Sequence, residues 1–209
     1  SDARLTERAY PMQTLILARH GESEYSARGL VNGDASVEVG LTEQGEEQAR
    51  ALGRALQAAK LELCVTTELR RTRRTAELAL AGCDVPVETW PDLNDPRAGS
   101  FEGGHLDDYR GWAWSAGSAE PVPGGGESRL ELVSRCARAY RQLHERPEPV
   151  ILAVLHALPI AYLLGALEGA TPAARMNRPV EYARAYFVES DALRGAVEVL
   201  EAWCAAPGW

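Results

Sequence analysis

The segment Leu15-Ile16-Leu17-Ala18-Arg19-His20-Gly21-Glu22-Ser23 runs an apolar stretch of strand type into an arginine–histidine pair followed by glycine. In an open α/β sheet, ligands bind just beyond the carboxyl ends of the strands. A guanidinium and an imidazole delivered there by a buried strand both face the crevice. A second stretch ends in the same way. Val150-Ile151-Leu152-Ala153-Val154-Leu155 is the most apolar strand candidate of the chain, and it stops at His156. Neighbouring strands lie about 4.8 Å apart, so if these two pair in parallel, both imidazoles enter one crevice.

Outward from these two strands, strand-like and helix-like stretches alternate, as in a layered α/β fold. The spacing of Ala49, Leu52, Ala55 and Leu56 predicts a helix over Glu43–Ala59, with Thr42 as its N-cap. Leu61–Thr66 reads as a short buried strand, and Glu68–Ala81 as a helix ended by Gly82. Val85–Thr89 reads as an edge strand, because Pro86 is excluded from a sheet centre. Ser128-Arg129-Leu130-Glu131 is a capping box opening a helix to His144, and Pro159 starts a helix running to Glu168. Ala185–Glu189 and Ala196–Ala202 read as two closing strands joined by a turn at Asp191–Gly195. Between Pro91 and Gly126 the periodicity breaks down into a loop-rich lid insertion, in which Tyr109, Trp112 and Trp114 either wall a pocket or form a private core. The expected organisation is a flexible polar tail over residues 1–13 and a single domain over 14–209.

Composition narrows the partners. The chain has 209 residues and a formal net charge of −8, which argues against nucleic-acid and anionic-membrane partners. If the substrate is an anion, positive charge must therefore be concentrated locally. Cys64, Cys83, Cys136 and Cys204 are widely spaced and match no metal-ligand pattern. They read as reduced thiols of a cytoplasmic protein. No apolar run approaches a bilayer span, and the amino-terminal segment lacks the apolar core of a secretory signal.

The motifs resemble those of the histidine phosphatase (phosphoglycerate mutase-like) superfamily. Arg19-His20-Gly21-Glu22-Ser23 is similar to its Arg-His-Gly-Glu-Thr/Ser nucleophile motif. Leu41-Thr42-Glu43-Gln44-Gly45-Glu46-Glu47-Gln48-Ala49 follows its Leu-Thr-x-x-Gly-x-x-Gln-Ala, and Thr66 to Ala76 its Ser-Ser-Pro-Leu-x-Arg-Ala-x-Gln-Thr-Ala. Leu93-Asn94-Asp95 and Gly99-Ser100-Phe101-Glu102-Gly103 match its Leu-x-Glu and Gly-x-Trp-Glu-Gly in spacing. Gly126-Glu127-Ser128 with Arg135, and Leu155-His156, complete the series in the family's order.

The resemblance implies a three-layer α/β/α sandwich with a mostly parallel central sheet. It also implies a phosphatase that needs neither metal nor cofactor. His20 would attack phosphorus, giving a phosphohistidine and dividing one hard transfer into two easier ones. Arg19, Arg71 and His156 would surround the phosphoryl oxygens, where guanidinium forks bind bidentately. Asp95 stands where the family has a glutamate general acid, one methylene shorter, with Glu102 as its competitor for the role. Ser26 occupies the place of a phosphate-touching asparagine, and Ala157 that of a glycine. Of the clustered arginines, only Arg71 is in register for the pocket; Arg70, Arg73 and Arg74 read as a solvated helix face. Glu22 and Arg135 read as supports, and His105 and His144 as surface residues, His105 within reach of substrate in the lid.

The implied function is hydrolysis of a small phosphorylated metabolite. A cofactor-dependent phosphoglycerate mutase is the first alternative, disfavoured because Asp95-Pro96-Arg97-Ala98-Gly99 lacks the mutase branch's Glu-Arg-x-Tyr-Gly segment. A non-catalytic phospho-ligand binder is the second, and retention of Arg19, His20, Arg71 and His156 together counts against it. A homodimer is compatible with this reading, and the sequence leaves the oligomeric state open.

Overall fold

The computed structural model describes residues 12–176 and 178–209. Five strands form one sheet in the order β3-β2-β4-β1-β5: β1 (Thr14–Arg19), β2 (Leu63–Thr66), β3 (Val87–Thr89), β4 (Val150–Leu155) and β5 (Ala185–Glu189). β1 to β4 run parallel and β5 is antiparallel to β1. This is the mixed α/β architecture the sequence implies.

Side-chain alternation explains why β1 and β4 read as unbroken apolar runs. Leu15 and Leu17 of β1 and Ile151, Ala153 and Leu155 of β4 join the larger core. That core is completed by helices α5 (Arg129–His144), α6 (Ala157–Leu167) and α7 (Ser190–Ala205). Ile16, Ala18, Leu152 and Val154 point the other way into a second core under α2 (Glu43–Ala55) and α3 (Arg70–Ala79). Strands covered on both faces have no polar side to show.

One expected strand is a helix. Residues 196–202, read as the second closing strand, lie inside α7, and the supposed turn at 191–195 is its first turns. Alternating valines and glutamates in Val197-Glu198-Val199 suit a strand, yet Leu193, Ala196, Val197, Leu200 and Trp203 are the buried positions and recur at helical spacing. A run this short fits both periods, and packing of α7 against α5 and α6 selects the helix. The tail expected over residues 1–13 lies outside the described residues up to position 11. Met12 is fully buried, its amide donates to the Arg146 carbonyl at 2.9 Å and that of Gln13 to the Pro149 carbonyl at 2.8 Å, so residues 12 and 13 pack with the domain and not with the expected tail.

The loop after β1 is clamped by α2. Thr42 caps α2 by accepting from the Gly45 amide at 3.0 Å, and its hydroxyl lies 2.8 Å from Glu22 Oε1. The Glu22 amide donates to Gln48 Oε1 at 2.8 Å, and the Gly21 amide to Thr75 Oγ1 of α3 at 3.0 Å. Backbones meet closely here. A Cβ on Gly21 would stand 2.2 Å from the Gly45 carbonyl oxygen, and one on Gly45 would stand 2.0 Å from that of Glu22. The Leu-Thr-x-x-Gly-x-x-Gln pattern thus has a mechanical purpose: it fixes the segment that carries His20.

The lid insertion is more ordered than its sequence suggests. It holds two 3-10 turns (Pro91–Leu93 and Gly99–Phe101) and helix α4 (Leu106–Ala113); the remaining helix, α1 (Glu24–Ala27), is a single turn after Ser23. Its aromatic residues divide. Trp112 packs with Phe101 in a small core around Val31, Ala98, Tyr109 and Val122, whereas Trp114 is exposed and faces the cavity described below.

Candidate active site

β1 and β4 pair with Arg19 opposite Leu155, and the His20 amide donates to the Leu155 carbonyl at 3.0 Å. Each histidine follows the last residue of its strand, so the rings come together with centroids 5.4 Å apart. Both are buried.

Hydrogen bonds orient both rings. His20 Nδ1 lies 2.7 Å from the Gly21 carbonyl, which can only accept, so Nδ1 carries the proton and Nε2 presents its lone pair. Arg71 Nε donates to that lone pair at 3.1 Å. His156 Nε2 lies 2.9 Å from Thr67 Oγ1, leaving Nδ1 without a hydrogen-bond partner, 3.7 Å from Asp95 Oδ2.

Arg71 is the hub. From the first turn of α3 its Nη1 donates to Asn32 Oδ1 at 2.6 Å, and its Nη2 to the Asn32 carbonyl and to Asp95 Oδ2, both at 2.9 Å. The Arg19 guanidinium carbon stands over the Tyr182 ring, 3.8 Å from its centre, and the side chain donates to the Val180 carbonyl at 3.0 Å. Next to Tyr182, Ala183 holds the left-handed φ of 49°, uncommon for a residue with a side chain, and its amide donates to the Arg19 carbonyl at 2.9 Å. Asp95 is held from behind. Arg135, in a bidentate pair with buried Glu127 at 2.7 and 2.8 Å, donates to the carbonyls of Asp92, Asn94 and Asp95.

Arg19, His20, Ser26, Arg71 and Asp95 line one cavity of about 550 Å³, and His156 sits fully buried behind Asp95 and His20. Ser26 is at the wall with its hydroxyl 2.9 Å from Ser23 Oγ. Glu102 stands apart: its carboxylate accepts from the amides of Gly33 and Ala98. Arg70 and Arg73 face Glu38, and Arg74 pairs with Glu46 and Glu77, so these three are a solvated face as read. His105 is exposed and not among the residues of the cavity wall. The residues that sequence reasoning missed are Asn32, Thr67, Thr75 and Tyr182. Thr67 and Thr75 lie inside quoted motifs, but nothing in the sequence marks Asn32 or Tyr182 as partners of the two arginines.

Burial first, then the nearby guanidiniums of Arg71 and Arg19, holds His20 well below the usual histidine range; burial and Arg71 do the same for His156. Desolvation pushes the Asp95 carboxyl up, against the pull of Arg71, Arg19 and Arg135. Both imidazoles are therefore neutral near pH 7, while Asp95 keeps its proton to a higher pH than a free carboxyl. For stability the sign is clear: the unfolded chain protonates these histidines below about pH 6.5 and the folded chain does not. Acidification through that window should cost about 1.4 kcal/mol per pH unit for each imidazole. Asp95 works the other way, but only once its own folded-state pKa is reached. Thermal unfolding followed from about pH 7.5 to about pH 5.5 should show a falling midpoint; a constant midpoint contradicts neutral burial of the pair.

The chain has known relatives. The family model of the histidine phosphatase superfamily (branch 1) matches residues 15–202. The chain belongs to the histidine phosphatase superfamily. Within it, the chain is 33% identical over 168 residues to the adenosylcobalamin/alpha-ribazole phosphatase of Salmonella typhimurium, covering 71% of this chain and 82% of that one. It is 35% identical over 175 residues to a 2,3-bisphosphoglycerate-dependent phosphoglycerate mutase of Brucella melitensis, covering 77% and 84%. Among solved structures, the alpha-ribazole phosphatase of Shigella flexneri superposes with a TM-score of 0.72 at 30% identity, over 83% of this chain and 89% of that one. As a member of this superfamily, the protein is a phosphatase-type enzyme.

Proposed function

We propose that this enzyme hydrolyses phosphomonoesters of small metabolites without a metal, through a phosphohistidine at His20. The observation that carries the reading is the His20 tautomer. Its Nδ1–H is tied to the Gly21 carbonyl, so the Nε2 lone pair is aimed into an arginine-lined cavity beside Asp95.

In the first half-reaction a phosphoryl group enters between Arg71 and His20, taking over the Arg71 Nε donor that His20 Nε2 otherwise accepts. Nε2 attacks phosphorus in line, the bond from phosphorus to the leaving oxygen breaks, and protonated Asp95 gives its proton to the departing alkoxide. Arg19 and Arg71 neutralise the equatorial oxygens, the largest electrostatic task in phosphoryl transfer. His156 stands behind Asp95, its buried Nδ1 3.7 Å from Asp95 Oδ2, and acts on the same oxygens through that carboxyl. In the second half-reaction Asp95, now a carboxylate, takes a proton from water as the water oxygen attacks phosphorus and the P–N bond breaks. Inorganic phosphate leaves and both residues return to their starting states. Two features favour Asp95 over Glu102 as the acid: desolvation raises its pKa, and Glu102 is occupied by backbone amides.

The test is turnover of an aryl phosphate by purified protein, with and without EDTA. Activity should persist undiminished in the chelator, since nucleophile, acid and charge neutralisation are all assigned to side chains; its loss would contradict the mechanism. The mutase relatives favour a second reading, phosphoryl transfer between positions of phosphoglycerate. Assay of phosphoglycerate isomerisation with added 2,3-bisphosphoglycerate, beside hydrolysis of alpha-ribazole phosphate, separates the two readings.

A further inference from the structure

The cavity that holds the proposed phosphate pocket extends well past it. At about 550 Å³ it is of the size that encloses a whole organic ligand, not a phosphoryl group alone. Leu106, Leu158, Met176 and Trp114 give its outer part an apolar wall.

Its charge is one-sided. Among the described residues Arg19, Arg71, Arg110, Arg129 and Arg178 line it against one carboxylate, Asp95, in a chain whose net charge is −8. Arg19 and Arg71 serve the phosphoryl end. Arg178 is paired with Glu168. Among the described residues Arg110 pairs only with the exposed Asp107 at 3.4 Å, a contact worth little. Arg129, at the start of α5, pairs with no carboxylate among the described residues, and the nearby Glu127 is taken by Arg135. Its guanidinium lies beside the Tyr162 hydroxyl and 5.6 Å from the centre of the Tyr109 ring, and among the described residues its buried Nη1 has no hydrogen-bond partner. A shielded cationic nitrogen without an acceptor is costly, and such groups normally find one.

We infer that the leaving-group end of the cavity is an anion subsite. The substrate class is a phosphomonoester whose leaving group has an apolar body and a second negative charge, held by Arg129 and Arg110, which both line the cavity. This rests on the hydrolase reading above and deepens it. Charge there also explains how an acidic protein attracts a doubly anionic ligand, because the field inside the cleft opposes that of the whole chain.

The experiment compares kcat/KM for phenyl phosphate, para-carboxymethylphenyl phosphate and para-carbamoylmethylphenyl phosphate. The methylene insulates the ester from the added group, so acid and amide differ in charge and little in leaving-group acidity. The wild-type enzyme should prefer the acid over the amide by about tenfold or more at low salt. Arg129→Gln should bring that ratio close to one, and Arg129→Lys should retain part of it. A wild-type ratio near one overturns the anion subsite whether or not any variant folds. A ratio that survives both Arg129→Gln and Arg110→Gln overturns the assignment to these residues. Failure of the wild type to hydrolyse phenyl phosphate itself overturns the hydrolase reading instead.

Discussion

Replacing His20 by alanine should lower kcat for an aryl phosphate by about 10⁴-fold or more, because it removes the atom proposed to bond phosphorus. The remaining pocket would still hold the phosphate. Arg71 keeps its Asn32 and Asp95 contacts, and Arg19 keeps the Tyr182 ring and the Val180 carbonyl. The variant should therefore bind inorganic phosphate or vanadate with near-normal affinity while failing to turn over, a separation of binding from chemistry. The fold should survive. The ring is buried at a strand end clamped by the backbone and side chains of α2 and α3, and the backbone bond from residue 20 to Leu155 does not depend on the side chain. Steady-state assays with a thermal melt as control decide the matter; activity near wild type would remove His20 from the chemistry.

Asp95→Asn should produce the second large effect, and its pattern carries more information than its size. Asparagine keeps the shape and an acceptor for Arg71 but has no proton to give. For an alkyl phosphate, whose alkoxide is a poor leaving group, kcat/KM should fall by about 10²- to 10⁴-fold. For a nitrophenyl ester, which departs unaided, kcat/KM should change little, since that ratio covers only the steps through leaving-group departure. Loss of the base for the attacking water should then make phosphoenzyme hydrolysis limiting, seen as a burst of nitrophenol. Equal losses on both substrates would assign the proton to Glu102 or to solvent.

How much of this was legible in the sequence depends on the range over which each feature is determined. β1 and β4 announce themselves because both their faces are buried, and Thr42 and Ser128 act as caps through contacts three residues away. The motif register brought Arg19, His20, Arg71, Asp95 and His156 into one place, since strand ends and a first helical turn fix positions from local sequence. The features that escaped are those set by distant packing. Residues 196–202 carry a pattern that fits strand and helix equally, and only the neighbouring helices choose. Asn32 holds Arg71 from a loop 39 residues earlier, and Tyr182 stacks on Arg19 from far along the chain. Trp112 and Trp114 look alike in sequence, yet one is core and the other cavity wall. No local rule separates them.

The most direct measurement is to quench the enzyme during turnover and map the phosphoryl group by mass spectrometry under alkaline conditions, which preserve phosphohistidine. The account predicts one phosphoryl group on His20, lost on brief acid treatment, absent from His20→Ala and longer-lived in Asp95→Asn. A phosphoryl group on another residue, or burst turnover with no covalent phosphoenzyme in Asp95→Asn, would contradict it.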